Sequence, residues 1–203
     1  PAMYNIAILA SGSGSNAENI ARRFHDKGNA RVAIVMSNKT DATVHDRMAA
    51  LDVDTLTFPN ETWDKEPQLI IDELVRHNID LIVLAGFLRK IHPAIVCAYR
   101  GRMVNIHPSL LPAYGGKGMY GRRVHEAVIA SGETRTGATV HYVTDEMDEG
   151  EIVMQESIAV LPDDTATTLE ARIHDLEFDL YPRAIESVLQ HLPDKGTPGS
   201  THV

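Results

Sequence analysis

An asparagine and a histidine two positions apart, Asn105 and His107, stand at the end of a short apolar run that begins at Met103. Residues two apart on a β-strand project to the same side of the sheet, and Pro108 then ends the run. We therefore expect both side chains to face one space at the carboxyl end of a strand, where open α/β sheets bind ligands. An amide can donate to a developing oxyanion, and an imidazole can move protons near neutral pH.

A second candidate site is the small-residue loop Ser11–Asn16, which lies between a predicted strand at residues 4–9 and a predicted helix from about Ala17 to His25. A strand, a glycine loop and a helix N-terminus together bind phosphate, because glycines admit close approach and free N–H groups point outward. The strand at residues 31–36 is not followed by the acid of a dinucleotide fingerprint, and no Gly-Lys-Ser/Thr triplet occurs. The loop favours a monophosphate, with a ligand-free tight turn as the alternative.

The order of predicted elements indicates an α/β fold with a Rossmann-like, mostly parallel sheet and right-handed crossovers. Two late strands at 136–143 and 152–160 have a short connection, which predicts an antiparallel C-terminal addition. A long helix from 167 to 188 closes the fold, and His174 and Glu177 share a face apart from its core stripe. The remaining predicted helices lie at 43–51, 66–77, 93–99 and 123–130, and the remaining strands at 55–58 and 79–84.

Length and composition indicate one globular domain over residues 3–192. The chain has 203 residues, of which 43% are hydrophobic and 23% charged, and no apolar run approaches the length of a membrane span. Pro1 and Ala2 precede Met3, which we take as the native start, so that residues 1–2 are interpreted as a cloning remnant. The polar, Gly/Pro-rich residues 193–203 are predicted to form a flexible tail.

The charge and the cysteine count restrict the partners and the compartment. A formal net charge of −9 argues against nucleic acid as a partner but permits a small anionic substrate held by local donors. The single Cys97 excludes an intrachain disulfide and fits a cytoplasmic location without a membrane partner. Its apolar neighbours predict that Cys97 is packed rather than reactive. Composition leaves monomer and homodimer open.

Two further patterns have plain interpretations. The connection Thr144–Gly150 carries four carboxylates in seven residues, as solvated acidic turns do. A metal set of His107, His125, His141 and Asp148 lacks H-x-x-x-H or C-x-x-C spacing, so no metal is predicted. His141 stands among apolar residues of a predicted strand, where a packed or supporting histidine is expected.

Three motifs in this order resemble the phosphoribosylglycinamide formyltransferase family, the folate-dependent enzymes of purine synthesis. They are Ser11–Asn16, Asn105–Pro112 and His141–Asp148, and the segment Leu84–Arg89 is similar to the family's folate-pocket loop. The likeness extends over residues 3–192 and implies the formyltransferase fold. Asn105–Pro112 is the most specific motif, although other formyl-folate enzymes carry a similar stretch.

The resemblance implies transfer of a formyl group from the co-substrate 10-formyltetrahydrofolate to the amine of glycinamide ribonucleotide, in de novo purine (IMP) biosynthesis. The amine would attack directly and give a tetrahedral intermediate. Asp148 would orient His107 and favour its charged form. By position, the implied catalytic residues are Asn105, His107 and Asp148; the phosphate contacts are Gly14, Ser15 and Asn16, with Glu177 on the rest of the ribonucleotide; and the folate contacts are Leu88, Arg89, Ile91, Thr144, Asp145, Glu146 and Met147.

One segment departs from the family pattern, and three alternatives accompany the resemblance. The loop Lys117–Gly121 is longer than in the shortest members, which leaves the roles of Lys117 and Arg122 open. Hydrolysis of 10-formyltetrahydrofolate would use the same three residues, but such enzymes usually carry an extra N-terminal domain. Methionyl-tRNA formyltransferases carry a further C-terminal domain. A phosphate-sugar-binding module would explain the glycine loop but not Asn105, His107 and Asp148 together.

Overall fold

The strands of the protein form one seven-stranded sheet in the order β3-β2-β1-β4-β5-β6-β7 in a computed structural model that describes residues 3–192. The predicted cloning remnant and tail lie outside the described residues. The strands are β1 (Tyr4–Leu9), β2 (Ala30–Ser37), β3 (Thr55–Thr57), β4 (Leu81–Leu84), β5 (Met103–His107), β6 (Arg135–Tyr142) and β7 (Ile152–Ala159). The helices are α1 (Ser15–His25), α2 (Val44–Ala49), α3 (Asn60–Lys65), α4 (Pro67–Arg76), α5 (Pro93–Ala98), α6 (Arg122–Ala130) and α7 (Ala166–His191).

The pairing of the strands confirms the predicted mixed sheet. The strands β1 to β5 pair in parallel, and β6 and β7 are added antiparallel. The chain places β2 and β3 on one side of β1 and then crosses to place β4 and β5 on the other. The carboxyl ends of β1 and β4 therefore flank the point where the strand order reverses, which is where open α/β sheets form a binding crevice.

Both faces of the sheet are covered, which explains why the inner strands are continuous apolar runs. In β1, Ile6 and Ile8 contribute to the cluster that contains α1 and α7, whereas Ala7 and Leu9 contribute to the cluster that contains α4 and α5. All four are buried. A strand that is buried on both faces has little freedom to shift its register, so the loop that follows β1 is delivered to a fixed place.

Two predictions of local secondary structure were wrong or incomplete. The helix α1 begins at Ser15, two residues before the predicted start, and α3 was not predicted. The sequence of α3 is polar apart from Trp63, which is buried and donates its Nε1–H to the carbonyl of Phe58 at 3.0 Å. A short helix that depends on one aromatic side chain has no apolar periodicity to detect.

The prediction that Cys97 is packed was also wrong, because its side chain is exposed. Ile95 and Val96 of α5 are buried against the sheet. Successive residues of a helix point in different directions, so Cys97 faces away from the core although its neighbours in the sequence are apolar.

A proline within α7 ties this helix to α1. Pro182 has no N–H, so the carbonyl of Phe178, four residues earlier, loses its helical donor. The side chain of Asn19 in α1 replaces that donor, with its Nδ2 at 2.9 Å from the Phe178 oxygen. One turn away, Asn16 of α1 donates to Glu177 of α7 at 3.2 Å. The two contacts together set how the N-terminal turn of α1 lies against α7.

We expect Asn19→Ala to lower the free energy of unfolding by about 1 kcal/mol, the net value of a typical hydrogen bond. In a Pro182→Ala background the backbone N–H of residue 182 returns to the Phe178 carbonyl, so the same Asn19→Ala change should cost less than half as much. Urea unfolding of the four proteins of this double-mutant cycle measures the difference. Arg23→Ala, an exposed change in α1, is the control. If Asn19→Ala lowers the free energy of unfolding equally in both backgrounds, Asn19 does not replace the donor that Pro182 lacks.

Candidate active site

A cleft of about 640 Å³ opens at the carboxyl ends of β1, β4 and β5. It lies at the reversal of strand order, as the topology requires. Every residue that the sequence predicted as catalytic or ligand-binding contributes to its lining. These residues are Gly14, Ser15, Asn16, Leu88, Arg89, Ile91, Asn105, His107, Thr144, Asp145, Glu146, Met147, Asp148 and Glu177.

The amide of Asn105 is oriented by a neutral histidine on the neighbouring strand. The antiparallel register of β5 and β6 pairs Asn105 with His141. Asn105 Nδ2 donates to His141 Nε2 at 3.2 Å, and His141 Nδ1 donates to the carbonyl of Tyr142 at 3.0 Å. This pattern is the neutral tautomer with the proton on Nδ1. Burial lowers the pKa of His141, which agrees with a neutral ring. The second hydrogen of the Asn105 amide remains available to a ligand.

The imidazole of His107 lies between a backbone carbonyl and a carboxylate. Its Nε2 donates to the carbonyl of Tyr114 at 2.7 Å, and its Nδ1 lies 3.7 Å from Asp148 Oδ2. The other carboxylate oxygen of Asp148 lies 3.7 Å from His141 Nε2. Both 3.7 Å separations exceed the length of a direct hydrogen bond. One carboxylate therefore faces both histidines, which come from adjacent strands.

The backbone of Asp148 adopts a conformation that few residues tolerate. Its φ is +57°, in the left-handed region, where Asp and Asn are the least strained residues after glycine. Its Oδ2 accepts the backbone N–H of Gly116 at 2.9 Å. The acidic connection after β6 is therefore more than a solvated turn, because Asp148, one of its four carboxylates, lies beside both histidines of the cleft.

The loop after β1 presents the N-terminus of α1 to the cleft. Gly14 has a φ of +74°, and a Cβ there would lie 2.4 Å from Val44 Cγ2, so the position requires glycine. The first N–H groups of α1 have no acceptor within the helix, and such a helix N-terminus is suited to receive an anion. Ser11 Oγ donates to Asn38 Oδ1 at 2.7 Å and accepts from Leu88 N at 2.9 Å. This serine thus joins the loops that follow β1, β2 and β4.

Asn16 and Glu177 form a pair of hydrogen-bond acceptors at the same end of the cleft. Asn16 Nδ2 is used by Glu177, so a phosphate here would meet backbone N–H groups rather than this amide. Asn16 Oδ1 is buried and has no hydrogen-bond partner within residues 3–192. Burial raises the pKa of Glu177. The pair suits a ligand that donates hydrogen bonds, such as hydroxyl groups next to a phosphate.

The opposite end of the cleft is apolar beneath a charged rim. Phe87 packs against the buried Trp63, with ring centroids 4.7 Å apart and the ring planes tilted by 59°, and Ile91 is buried. Leu88, by contrast, is 60% exposed at the cleft mouth. Arg89 is paired with Asp64, and Arg100 lies 3.9 Å from Asp145. A flat apolar ring would find a wall here with few free charges beside it.

Sequence reasoning missed several contributors. Its interpretation of His141 as a packed or supporting residue is confirmed, but its contact with Asn105 was not anticipated. That contact joins β5 to β6, whose pairing the sequence did not predict. His125 lines the cleft, burial lowers its pKa, and its Nδ1 has no hydrogen-bond partner in the described part of the chain. The contacts of the Tyr114 carbonyl and the Gly116 N–H are backbone contacts, which carry no sequence signal.

Residues 3–192 contain no group of three or more His, Cys, Asp or Glu side chains placed to hold a metal ion. This part of the chain also contains no helix that is both long and apolar enough to cross a membrane.

Comparison with known proteins shows the family. The model of the formyl transferase family matches residues 4–185, so the chain belongs to the formyl transferase family. Among curated relatives, phosphoribosylglycinamide formyltransferase of Bacillus subtilis (strain 168) is 37% identical over 191 residues, covering 92% of this chain and 95% of the relative. The chloroplastic phosphoribosylglycinamide formyltransferase of Arabidopsis thaliana is 34% identical over 195 residues, covering 94% of this chain and 67% of the relative.

Solved structures give the same result. The crystal structure of phosphoribosylglycinamide formyltransferase from Bacillus halodurans superimposes with a TM-score of 0.85 at 34% identity, covering 94% of this chain and 98% of that one. Glycinamide ribonucleotide transformylase 1 from Geobacillus kaustophilus superimposes with a TM-score of 0.84 at 37% identity, covering 92% and 99% of the two chains. The sheet and helices described above are therefore those of this family.

The raised pKa of Glu177 has a consequence for stability. Ionisation of this buried carboxyl is less favourable in the folded state, so the free energy of unfolding should fall as pH rises from the ordinary value of 4.5 through the folded pKa. Glu177→Gln removes this penalty. We expect the variant to gain stability relative to the parent as pH rises above 4.5, and to bind a ribonucleotide about tenfold or more weaker.

Urea unfolding at a series of pH values and calorimetric titration with the ribonucleotide measure the two effects. Asp175→Asn, which neutralises an exposed acid on the same helix, is the control. If the free energies of unfolding of Glu177→Gln and of the parent protein change with pH in the same way, burial does not disfavour ionisation of Glu177.

Proposed function

We propose that this protein transfers a formyl group from 10-formyltetrahydrofolate to the amine of glycinamide ribonucleotide, acting in purine biosynthesis as a single domain of residues 3–192. One observation carries the proposal. A single cleft joins an anion-binding helix N-terminus, a set of proton-transfer and hydrogen-bonding groups, and an apolar wall. The bacterial and plant relatives are named for formyl transfer to a phosphoribosyl substrate, an activity that requires these three subsites side by side.

The acceptor substrate fits the end of the cleft next to α1. Its phosphate would accept hydrogen bonds from the backbone N–H groups of Ser15 and Asn16, and the positive end of the helix dipole would also attract it. Its sugar hydroxyls would donate to Glu177 and to the free oxygen of Asn16. The glycinamide arm would then extend toward Asn105 and His107.

The donor substrate fits the apolar end. Its ring system would lie against the wall formed by Phe87, Leu88 and Ile91, with the segment 144–147 on the other side. A flat heterocycle is held well by an apolar wall with a few polar edges, and backbone groups of the two loops supply such edges. The donor supplies a formyl group on nitrogen, whose carbon is open to attack by an amine.

Asn105 is suited to stabilise the oxygen on which negative charge develops during attack. Its Nδ2 is held by His141 through one hydrogen, so the second is already oriented and need not be reorganised during the reaction. Such a donor is typically worth about 10²–10³ in rate.

His107 and Asp148 are suited to manage the protons. The attacking amine must lose a proton and the departing nitrogen must gain one, so a group that can both accept and donate is required. Asp148 faces His107 Nδ1 and would stabilise the imidazolium between these two events. No covalent enzyme intermediate is needed. Ser109, next to Pro108, donates its hydroxyl to the carbonyl of Ala113 at 2.6 Å and is not poised as a nucleophile.

The same three residues could hydrolyse the donor if water replaced the amine. The anion-binding end of the cleft favours the ribonucleotide, because hydrolysis would leave that subsite without a purpose. Binding without catalysis would explain the subsite but would leave Asn105, His107 and Asp148 without a role.

Consumption of 10-formyltetrahydrofolate by the purified protein, measured with and without glycinamide ribonucleotide, tests the proposal. We expect the donor to be consumed only when the ribonucleotide is present, with one formylated ribonucleotide formed for each donor lost. Ribose 5-phosphate, which has the phosphate and sugar but no amine, is the control and should inhibit without reacting. Equal consumption with and without the ribonucleotide would identify a hydrolase instead. No consumption in either case would refute both activities.

A further inference from the structure

A three-residue turn after β5, Tyr114 to Gly116, contacts both His107 and Asp148 through its backbone. The Tyr114 carbonyl accepts from His107 Nε2 at 2.7 Å, and the Gly116 N–H donates to Asp148 Oδ2 at 2.9 Å. The turn thus binds the Nε2–H group of His107 and one carboxylate oxygen of Asp148. Both contacts are made by backbone atoms of the turn.

The contact with Tyr114 determines which nitrogen of His107 exchanges a proton. A backbone carbonyl can only accept, so Nε2 must carry a hydrogen for this bond to exist. The neutral ring therefore has a bare Nδ1, and Nδ1 is the atom that gains or loses the proton. Charged or titratable side chains that face the ring come from three elements. They are Asp148 from the β6–β7 connection, His141 from β6 and His125 from α6.

The turn is held in place by its own conformation and by its surroundings. Tyr114 has a φ of +56°, and its hydroxyl donates to Glu133 Oε1 at 2.9 Å beyond the end of α6. Its ring packs against the small core formed by Val128, Leu169 and Ile173.

Little space separates the turn from the catalytic pair. A Cβ on Gly115 would lie 2.6 Å from Leu111 Cδ2 and 3.4 Å from Asp148 Cβ. An added Cβ would therefore press on the end of the Leu111 side chain and lie in van der Waals contact with Asp148. A displacement of the turn would move its contacts with His107 and Asp148 together.

We propose that the Tyr114–Gly116 turn is a positioning element that fixes His107 as the Nε2–H tautomer and aligns Asp148 with its Nδ1. The proposal rests on the proposed function for its effect on catalysis. The tautomer itself does not depend on the reaction that the protein performs. A misplacement of about 1 Å in such a pair can cost about 10²-fold in rate.

The ¹⁵N spectrum of histidine-labelled protein tests the tautomer without any substrate. His107 is assigned by comparison with the spectrum of His107→Asn. At alkaline pH we expect one signal of a protonated nitrogen for Nε2 and one of a bare nitrogen for Nδ1. The Nδ1–H tautomer, or an average of both forms, would overturn the proposal. Because the measurement requires no turnover, its result does not depend on whether the protein transfers a formyl group.

Gly116→Ala tests the positioning role. Gly116 has a φ of +89°, and within the described residues nothing lies within 4 Å of a Cβ built there, so alanine adds backbone strain without a collision. Gly28→Ala is the matched control, because Gly28 has a φ of +72°, is equally open and lies between α1 and β2.

We expect Gly116→Ala to lower kcat by about 10²-fold with the KM for the ribonucleotide within about twofold, and to mix the His107 tautomers. Gly28→Ala should lose a similar amount of stability with kcat and spectrum unchanged. If Gly116→Ala keeps the kcat and the spectrum of the Gly28→Ala protein, the turn is not a positioning element. If Gly116→Ala does not fold, the wild-type spectrum alone decides.

Discussion

The carboxylate of Asp148 is the point on which the arrangement of the site depends. It faces His107 on β5 and His141 on β6, and it accepts the N–H of Gly116 from a separate loop. Three segments distant in sequence are thereby held around one charge. Burying a charge is costly, and the N–H of Gly116 donates directly to this carboxylate, on a residue whose backbone is left-handed. Without it, the neutral His141 would still orient Asn105, but His107 would lose the group that stabilises its imidazolium.

The sheet makes this arrangement possible because adjacent strands end at the same edge. The parallel strands β1, β4 and β5 bring together the glycine loop, the loop of Phe87–Ile91 and the Asn105/His107 pair. The antiparallel strand β6 adds His141 beside Asn105. The long helix α7 closes the other end of the cleft with Glu177. Its proline leaves a free carbonyl that Asn19 occupies, so α1 and α7 are joined directly beside the anion-binding terminus. The same contacts that join α1 to α7 therefore also hold this end of the cleft in place.

The sequence predicted the strand pattern, the mixed sheet and the residues that line the cleft, because these depend on local periodicity and on recognisable motifs. It did not predict α3, which depends on the single side chain of Trp63, or the exposure of Cys97, which depends on the direction in which α5 faces the sheet. The role of the Tyr114 carbonyl and the Gly116 N–H was equally out of reach, since backbone groups are the same at every position. Patterns of side chains indicate which residues meet, whereas tautomers and backbone hydrogen bonds follow only from the three-dimensional arrangement.

The catalytic role of Asp148 is tested most directly by the single-turnover rate of Asp148→Asn with both substrates saturating. Asparagine tolerates the left-handed backbone, so the fold and the affinity for the ribonucleotide should stay within about twofold of the parent protein. We expect the chemical step to slow by about 10²–10⁴-fold, the range of general acid–base catalysis. Glu149→Gln, which removes the adjacent exposed acid, should react at the parental rate. A parental rate in Asp148→Asn would contradict the role given to this carboxylate and to the proton path through His107.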